Sequence, residues 1–268
     1  MEQPPPMQET PPPAAPKEPT MSLAARLMNV FAIPGDVFEE VKSAQHRVGN
    51  WLVPVLIGCL VGVISIIVVF SQPAIKQQMR EKQSAAMAKK FDEMVKANKM
   101  TREQADRQIE ALEKFMGPTM MMISGSMTIV VWSFGRLFFW ALVLWVIGRW
   151  LLKAPFAYMK TAEIVGLATM IGVLGVIVKT LLQVNFSNPA ASPSLALTVG
   201  EFDEKNMLHM MLAMLNLFDL WEVGVLGAGL SRLAGATWTR ATLPVLLVWM
   251  FVSAALGAVS ALAVRLNS

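Results

Sequence analysis

Residues 51–71, WLVPVLIGCLVGVISIIVVFS, carry no charged side chain. A helix needs about 20 such residues to cross roughly 30 Å of hydrocarbon. The pattern recurs along the chain and predicts five spans: 51–71, within 118–150, 161–185, within 207–231, and 241–264. Composition agrees, with 54% hydrophobic and only 16% charged residues, against about a quarter charged in soluble domains. The expected fold class is all-α: a polytopic membrane protein with five transmembrane helices plus an extramembrane helical hairpin.

The segments outside the spans set the domain plan. Residues 1–20 hold eight prolines among Glu, Gln and Thr. Such a tail cannot bury a core and is expected to be extended and disordered. It has neither the basic nor the apolar region of a cleaved signal, so the run at 51–71 is expected to stay as a span. Residues 21–50 predict interfacial amphipathic helices. Leu23, Leu27, Val30 and Phe31 share one face, behind Ser22 as a cap. Pro34 and Gly35 read as a break. Asp36, with Glu39 three residues on, reads as the start of a second helix whose apolar side is Val37, Phe38 and Val41. Such helices lie apolar face down in the bilayer interface, and Trp51 suits the headgroup level. Residues 51–264 form the membrane domain. Inserted in it is 72–117, with ten Lys or Arg and seven Asp or Glu. Apolar stripes through Ile75, Met79, Met87, Phe91, Met94 and Val95, then Ile109, Leu112 and Met116, predict two helices. Thr101 and Gln104 can cap the second.

Orientation follows the Lys and Arg of short loops near span ends. With the N-terminus inside, the cytoplasmic side holds Lys17, Arg26, Lys42, Arg47, Arg149, Lys153, Lys160, Arg232 and Arg240. The outside holds Lys179, Lys205 and Arg265, plus the nearly balanced charges of 72–117. The expectation is a cytoplasmic N-terminus and an external C-terminus.

The spacing Phe31, Pro34, Phe38, Val41, Trp51, Pro54 resembles the leading segment of the Yip family, the Rab-interacting membrane proteins and their bacterial relatives. FFWALVLWVIGRWLLKAPFAYMKTAEIVGLATMIGVL, 138–174, is similar to the family's middle spans and their connecting loop. FDLWEVGVLGAGLSRLAGATWTRATLPVLLVWM, 218–250, is similar to its fourth and fifth spans. The resemblance covers roughly 22–264, without 72–117 and 186–206, and looks closer to the bacterial branch. It implies five spans, a cytoplasmic N-terminus and no known catalytic residues. In eukaryotic members it implies binding of Rab-type GTPases, an activity not carried over here. The charged hairpin departs from the compact family pattern.

Charges within spans are costly and mark function by default. Arg136 interrupts span two, and Asp219 and Glu222 share a face of span four. At about 1.5 Å per residue, all three reach a similar depth. Arg136 is therefore expected to pair with Asp219 or Glu222 and lock the bundle; the alternative is a substrate or proton pathway. Gly58 and Gly62 are four apart in span one, Gly224 and Ala228 in span four, and Ala254 and Ala258 in span five. That spacing allows close helix approach, within the bundle or along a homo-oligomer seam.

Other chemistry finds little support. His46 and His209 belong to no HExxH or Ser-His-Asp pattern, and there is no P-loop or GxGxxG. Cys59 alone makes no disulfide or metal cluster. Met207–Met211 and Met210–Met214 have a spacing that thioether ligands of Cu(I) could use, but Met is foremost an adaptable apolar filler. No cofactor or metal is expected. The net charge of +4 reports loops, and no aromatic-studded basic patch points to nucleic acid. The sequence predicts a non-enzymatic membrane scaffold or organising protein of a bacterial inner membrane. Its partners are the lipid bilayer, proteins met at its cytoplasmic N-terminus, and further copies of itself. The alternative is a small transporter or channel using Arg136, Asp219 and Glu222.

Overall fold

The computed structural model describes residues 20–115, 118–200, 202–203 and 206–266. All of the Pro-rich tail except Thr20 lies outside them. The chain is all-α. Short helices α1 (Leu23–Asn29) and α2 (Pro34–Ser43) lead into α3 (Gly49–Phe70). Then follow α4 (Pro73–Lys96), α5 (Arg102–Phe115), α6 (Pro118–Val146, continued by a π turn to Leu151) and α7 (Tyr158–Asn185). The chain ends with α8 (Met207–Met214), α9 (Leu217–Ala234) and α10 (Trp238–Leu266).

Local chemistry sets the helix ends. Ser22 accepts the Ala25 N–H and caps α1. Pro34 does not merely end α1; it opens α2, two residues before the expected start at Asp36. Its fixed φ suits the first helical position, where a missing N–H costs nothing. Thr101 and Gln104 cap α5 reciprocally, each accepting the other's backbone N–H. Helices α4 and α5 form the extramembrane hairpin, with Phe91 and Ala105 buried and Asp92 paired to Arg102.

Four helices among the described residues are long and apolar enough to cross a membrane: Gly49–Phe70, Met120–Leu151, Tyr158–Asn185 and Trp238–Val259. The fourth expected span, within 207–231, is not one helix. It breaks between α8 and α9, where Asn216 accepts the Phe218 N–H and caps α9. The incoming loop pairs with the break: Leu195 N–H donates to Leu215 O and Leu217 N–H to Pro193 O. The remaining 18 residues of α9 extend about 27 Å, near the hydrocarbon thickness, but hold Asp219, Glu222 and Arg232. The five-span count is therefore approximate.

Helix α7 is the hub. It packs on α3, α6 and α9, while α10 closes the far side of α9. Ala162, Ile164, Val165, Leu167, Ala168 and Ile171 of α7 are all buried. Two glycines permit the closest approaches. A Cβ on Gly166 would strike the Trp51 backbone and lie 2.8 Å from Asn50 O. One on Gly227 would lie 2.8 Å from Thr242 Cα. The starts of α3, α7 and α10 and the end of α9 gather at one end of the bundle, and α1 and α2 pack there. Val37, Phe38 and Val41 are buried, chiefly against α9 and then α7. Met28 and Ile33 face outward.

Candidate functional site

Two polar constellations stand out in this apolar molecule. The first lies halfway along the bundle. Arg136 of α6 donates from Nη2 to Glu222 Oε2 of α9 at 2.7 Å. The two helices are held apart by α7, and the pair crosses it at Gly172. A Cβ there would lie 3.1 Å from Glu222 Oε2 and 3.4 Å from Arg136 Nη1. The Glu222 side chain is 4% exposed and that of Arg136 33%. Asp219, nearly one turn earlier on α9, makes no hydrogen bond among the described contacts. It faces the charges of Arg136 and Lys179. Two cations thus offset two acids, but only one acid is directly bonded.

The second constellation ties the leading helices to the bundle end. Arg26 of α1 is 1% exposed. It donates to Glu40 Oε1 of α2 at 2.7 Å and to Asn50 Oδ1 of α3 at 3.1 Å. The Asn50 amide donates in turn to Glu163 Oε2 of α7. Glu163 is fully buried. Its other oxygen lies 2.8 Å from His46 Nδ1 and 3.4 Å from Lys160 Nζ. Lys160 donates to Val41 O and Ala44 O, both at 2.7 Å. It thereby satisfies carbonyls at the end of α2, where a helix leaves acceptors open and favours positive charge. Burial alone would push the Glu40 carboxyl up. Hydrogen bonds from Arg26, the Met21 amide and Thr20, with the charge of Arg26, outweigh it and hold Glu40 below the usual carboxylate value. One polar chain thus runs from α1 through α2 and α3 to α7.

A family model, that of the Yip1 domain, matches residues 28–259. The chain belongs to the Yip1-domain family. No curated protein and no solved structure matches it. It is an integral membrane protein by its apolar helices and its family.

Within the Yip1 domain the residues singled out from sequence have separate fates. Arg136 and Glu222 meet, with Asp219 alongside. Gly58 faces Val173 of α7 at 3.5 Å and Gly62 faces Ile129 of α6 at 2.9 Å, measured from the added Cβ. Both point into the bundle. Gly224 faces open space, and Ala228 lines a cleft beside α2. Among the described residues, no group of three His, Cys, Asp or Glu could hold a metal. The second constellation escaped the sequence reading. Its signal was present: Glu163 is an acid at the head of an apolar run, as Asp219 and Glu222 are. Arg26 and Asn50 had none, because an Arg on a short amphipathic helix and an Asn before a span ordinarily meet water.

Proposed function

We propose that this Yip1-domain protein is a non-enzymatic membrane scaffold, held in a bacterial inner membrane with its N-terminus in the cytoplasm. The closure of Arg136 onto Glu222 across Gly172 carries the reading. A guanidinium and carboxylate bonded at 2.7 Å, filling the space a side chain would take, act as an internal lock. A conducting path needs its charges turned toward water. The inside assignment is supported by Arg47 and Lys153 in loops and by Arg149, Arg232 and Arg240 in the terminal turns of helices, all at the α1–α2 end. That end, with the Pro-rich tail, is where protein partners would be met.

Asp219 favours a second reading. A half-buried carboxylate that bonds to neither nearby cation could pass a proton or bind a substrate cation. Flux measurements on proteoliposomes separate the two readings. A scaffold gives no ion or proton flux above empty vesicles. Flux abolished by Asp219→Asn would replace the scaffold with a transporter.

A further inference from the structure

Beside the bundle end lies an open cleft of about 450 Å³, bounded by α2, the end of α9 and the start of α10. Its chemistry comes from Gly35, Glu39, Lys42, Ser231, Arg232 and Trp238. Arg232 is exposed and lies along Gly35, its Nη2 3.0 Å from where a Cβ would stand. It makes no hydrogen bond or ion pair among the described contacts. Lys42 has one acid near it, Glu39 at 3.7 Å, and both side chains are about half exposed, so the pair is weak. The Ser231 hydroxyl is spent on Ala228 O. Trp238 is pinned by its indole N–H on Gly224 O at 3.2 Å and leaves half its surface open. The lining thus sets two available cations against one acid. It sits where α9 ends and α10 begins, and α10 is long and apolar enough to span, so its start lies at headgroup depth.

We infer that this cleft binds a phosphate anion, with Arg232 and Lys42 as its ligands and Trp238 as its apolar wall. The planar guanidinium suits two phosphate oxygens at once, and the ammonium serves as a point charge beside it. The phosphate takes Lys42 over from Glu39. Its source is either a lipid headgroup, with Trp238 against the glycerol and upper acyl carbons, or free phosphate. The site does not depend on the scaffold reading, since it lies outside the ion pair across Gly172.

The test uses the full chain in neutral detergent, with its unfolding temperature followed during titration. The probes are short-chain phosphatidylglycerol, short-chain phosphatidylcholine and inorganic phosphate. Saturable stabilisation by phosphatidylglycerol without phosphatidylcholine or inorganic phosphate supports a headgroup site. Equal stabilisation by inorganic phosphate supports a free-phosphate site. Stabilisation by neither overturns the inference. Arg232→Gln should weaken the response about tenfold or more, the loss of a charge-assisted contact, and Lys42→Gln should weaken it in the same sense. Arg240→Gln, outside the cleft, should change it less than about twofold; an equal loss there would show a diffuse field instead of a site. Gly35→Leu fills the cleft without removing a charge, and retained binding in that variant would overturn the assignment.

Discussion

Gly172 is the position at which the ion pair can be tested without touching either charge. An alanine there brings a carbon 3.1 Å from Glu222 Oε2, which the pair can absorb by shifting a few tenths of an ångström. The better helix propensity returns up to about 1 kcal/mol, so Gly172→Ala should be near neutral. A valine adds two γ-carbons where the 2.7 Å contact runs, and the pair must open. Opening a buried pair costs about 3–5 kcal/mol; Arg136 is one-third exposed, so the lower figure applies. The assay is reversible unfolding in mixed micelles with increasing denaturing detergent. Arg136→Leu and Glu222→Leu should each destabilise, and together lose much less than their sum. Arg136→Leu with Asp219→Leu should be closer to additive than the Glu222 double mutant, because Asp219 feels the Arg136 charge without a direct bond. Gly172→Val should cost about 3 kcal/mol in the native background and far less once both charges are leucine. An equal cost in the two backgrounds would show that Gly172 matters for helix packing alone, and the reasoning about the pair would fail.

Glu40 gives an acid signature. Its folded pKa is lowered, so its contribution is complete above the ordinary carboxylate value and is lost as pH falls through the lowered one. The stability gap between native protein and Glu40→Gln should therefore be constant near neutrality and shrink below about pH 4; a gap that widens on acidification would contradict the contacts described. Glu163→Leu leaves Asn50, His46 and Lys160 without their shared acceptor. It should cost about 1–3 kcal/mol and raise protease cleavage within residues 20–48, whereas unchanged cleavage would show that the leading helices are held by packing alone. Phe38 is fully buried against Gly229 of α9. Phe38→Ala should cost about 3–5 kcal/mol, and Met28→Ala, on the exposed side of α1, less than about 0.5. Similar losses at both would mean that lipid, and not α9, covers the face of α2.

The apolar runs made the spans readable because hydrocarbon imposes one rule on every residue of a helix. They predicted three of the five spans closely and α6 well. The fourth, expected within 207–231, is divided at Leu215–Asn216 into α8 and α9. Hydropathy stays high across that break, since Met207–Met214 and Leu217 onward are both apolar. What ends the helix is one Asn cap and two backbone bonds with Pro193 and Leu195, which precede the break by some 20 residues, and periodicity does not record them. The apolar face of α2 was equally plain, but its partner was not: an amphipathic stripe reads the same whether it covers lipid or protein. Arg136 and Glu222 were legible because a lone charge at that depth demands a partner. Gly172 was not, because a glycine in an apolar helix gives no sign of what crosses it.

The position of α2 has a consequence for assembly. The surface that covers Phe38 and Val41 belongs chiefly to α9, nearly 180 residues further along the chain. A ribosome delivers α2 early, just after α1, and α9 almost last. Through all the intervening synthesis the leading helix lacks most of its final seat, and the lipid interface is the surface at hand for its apolar stripe. The mature contact between α2 and α9 then joins the two ends of the Yip1 domain, so it forms only in a chain whose inner helices have already been inserted.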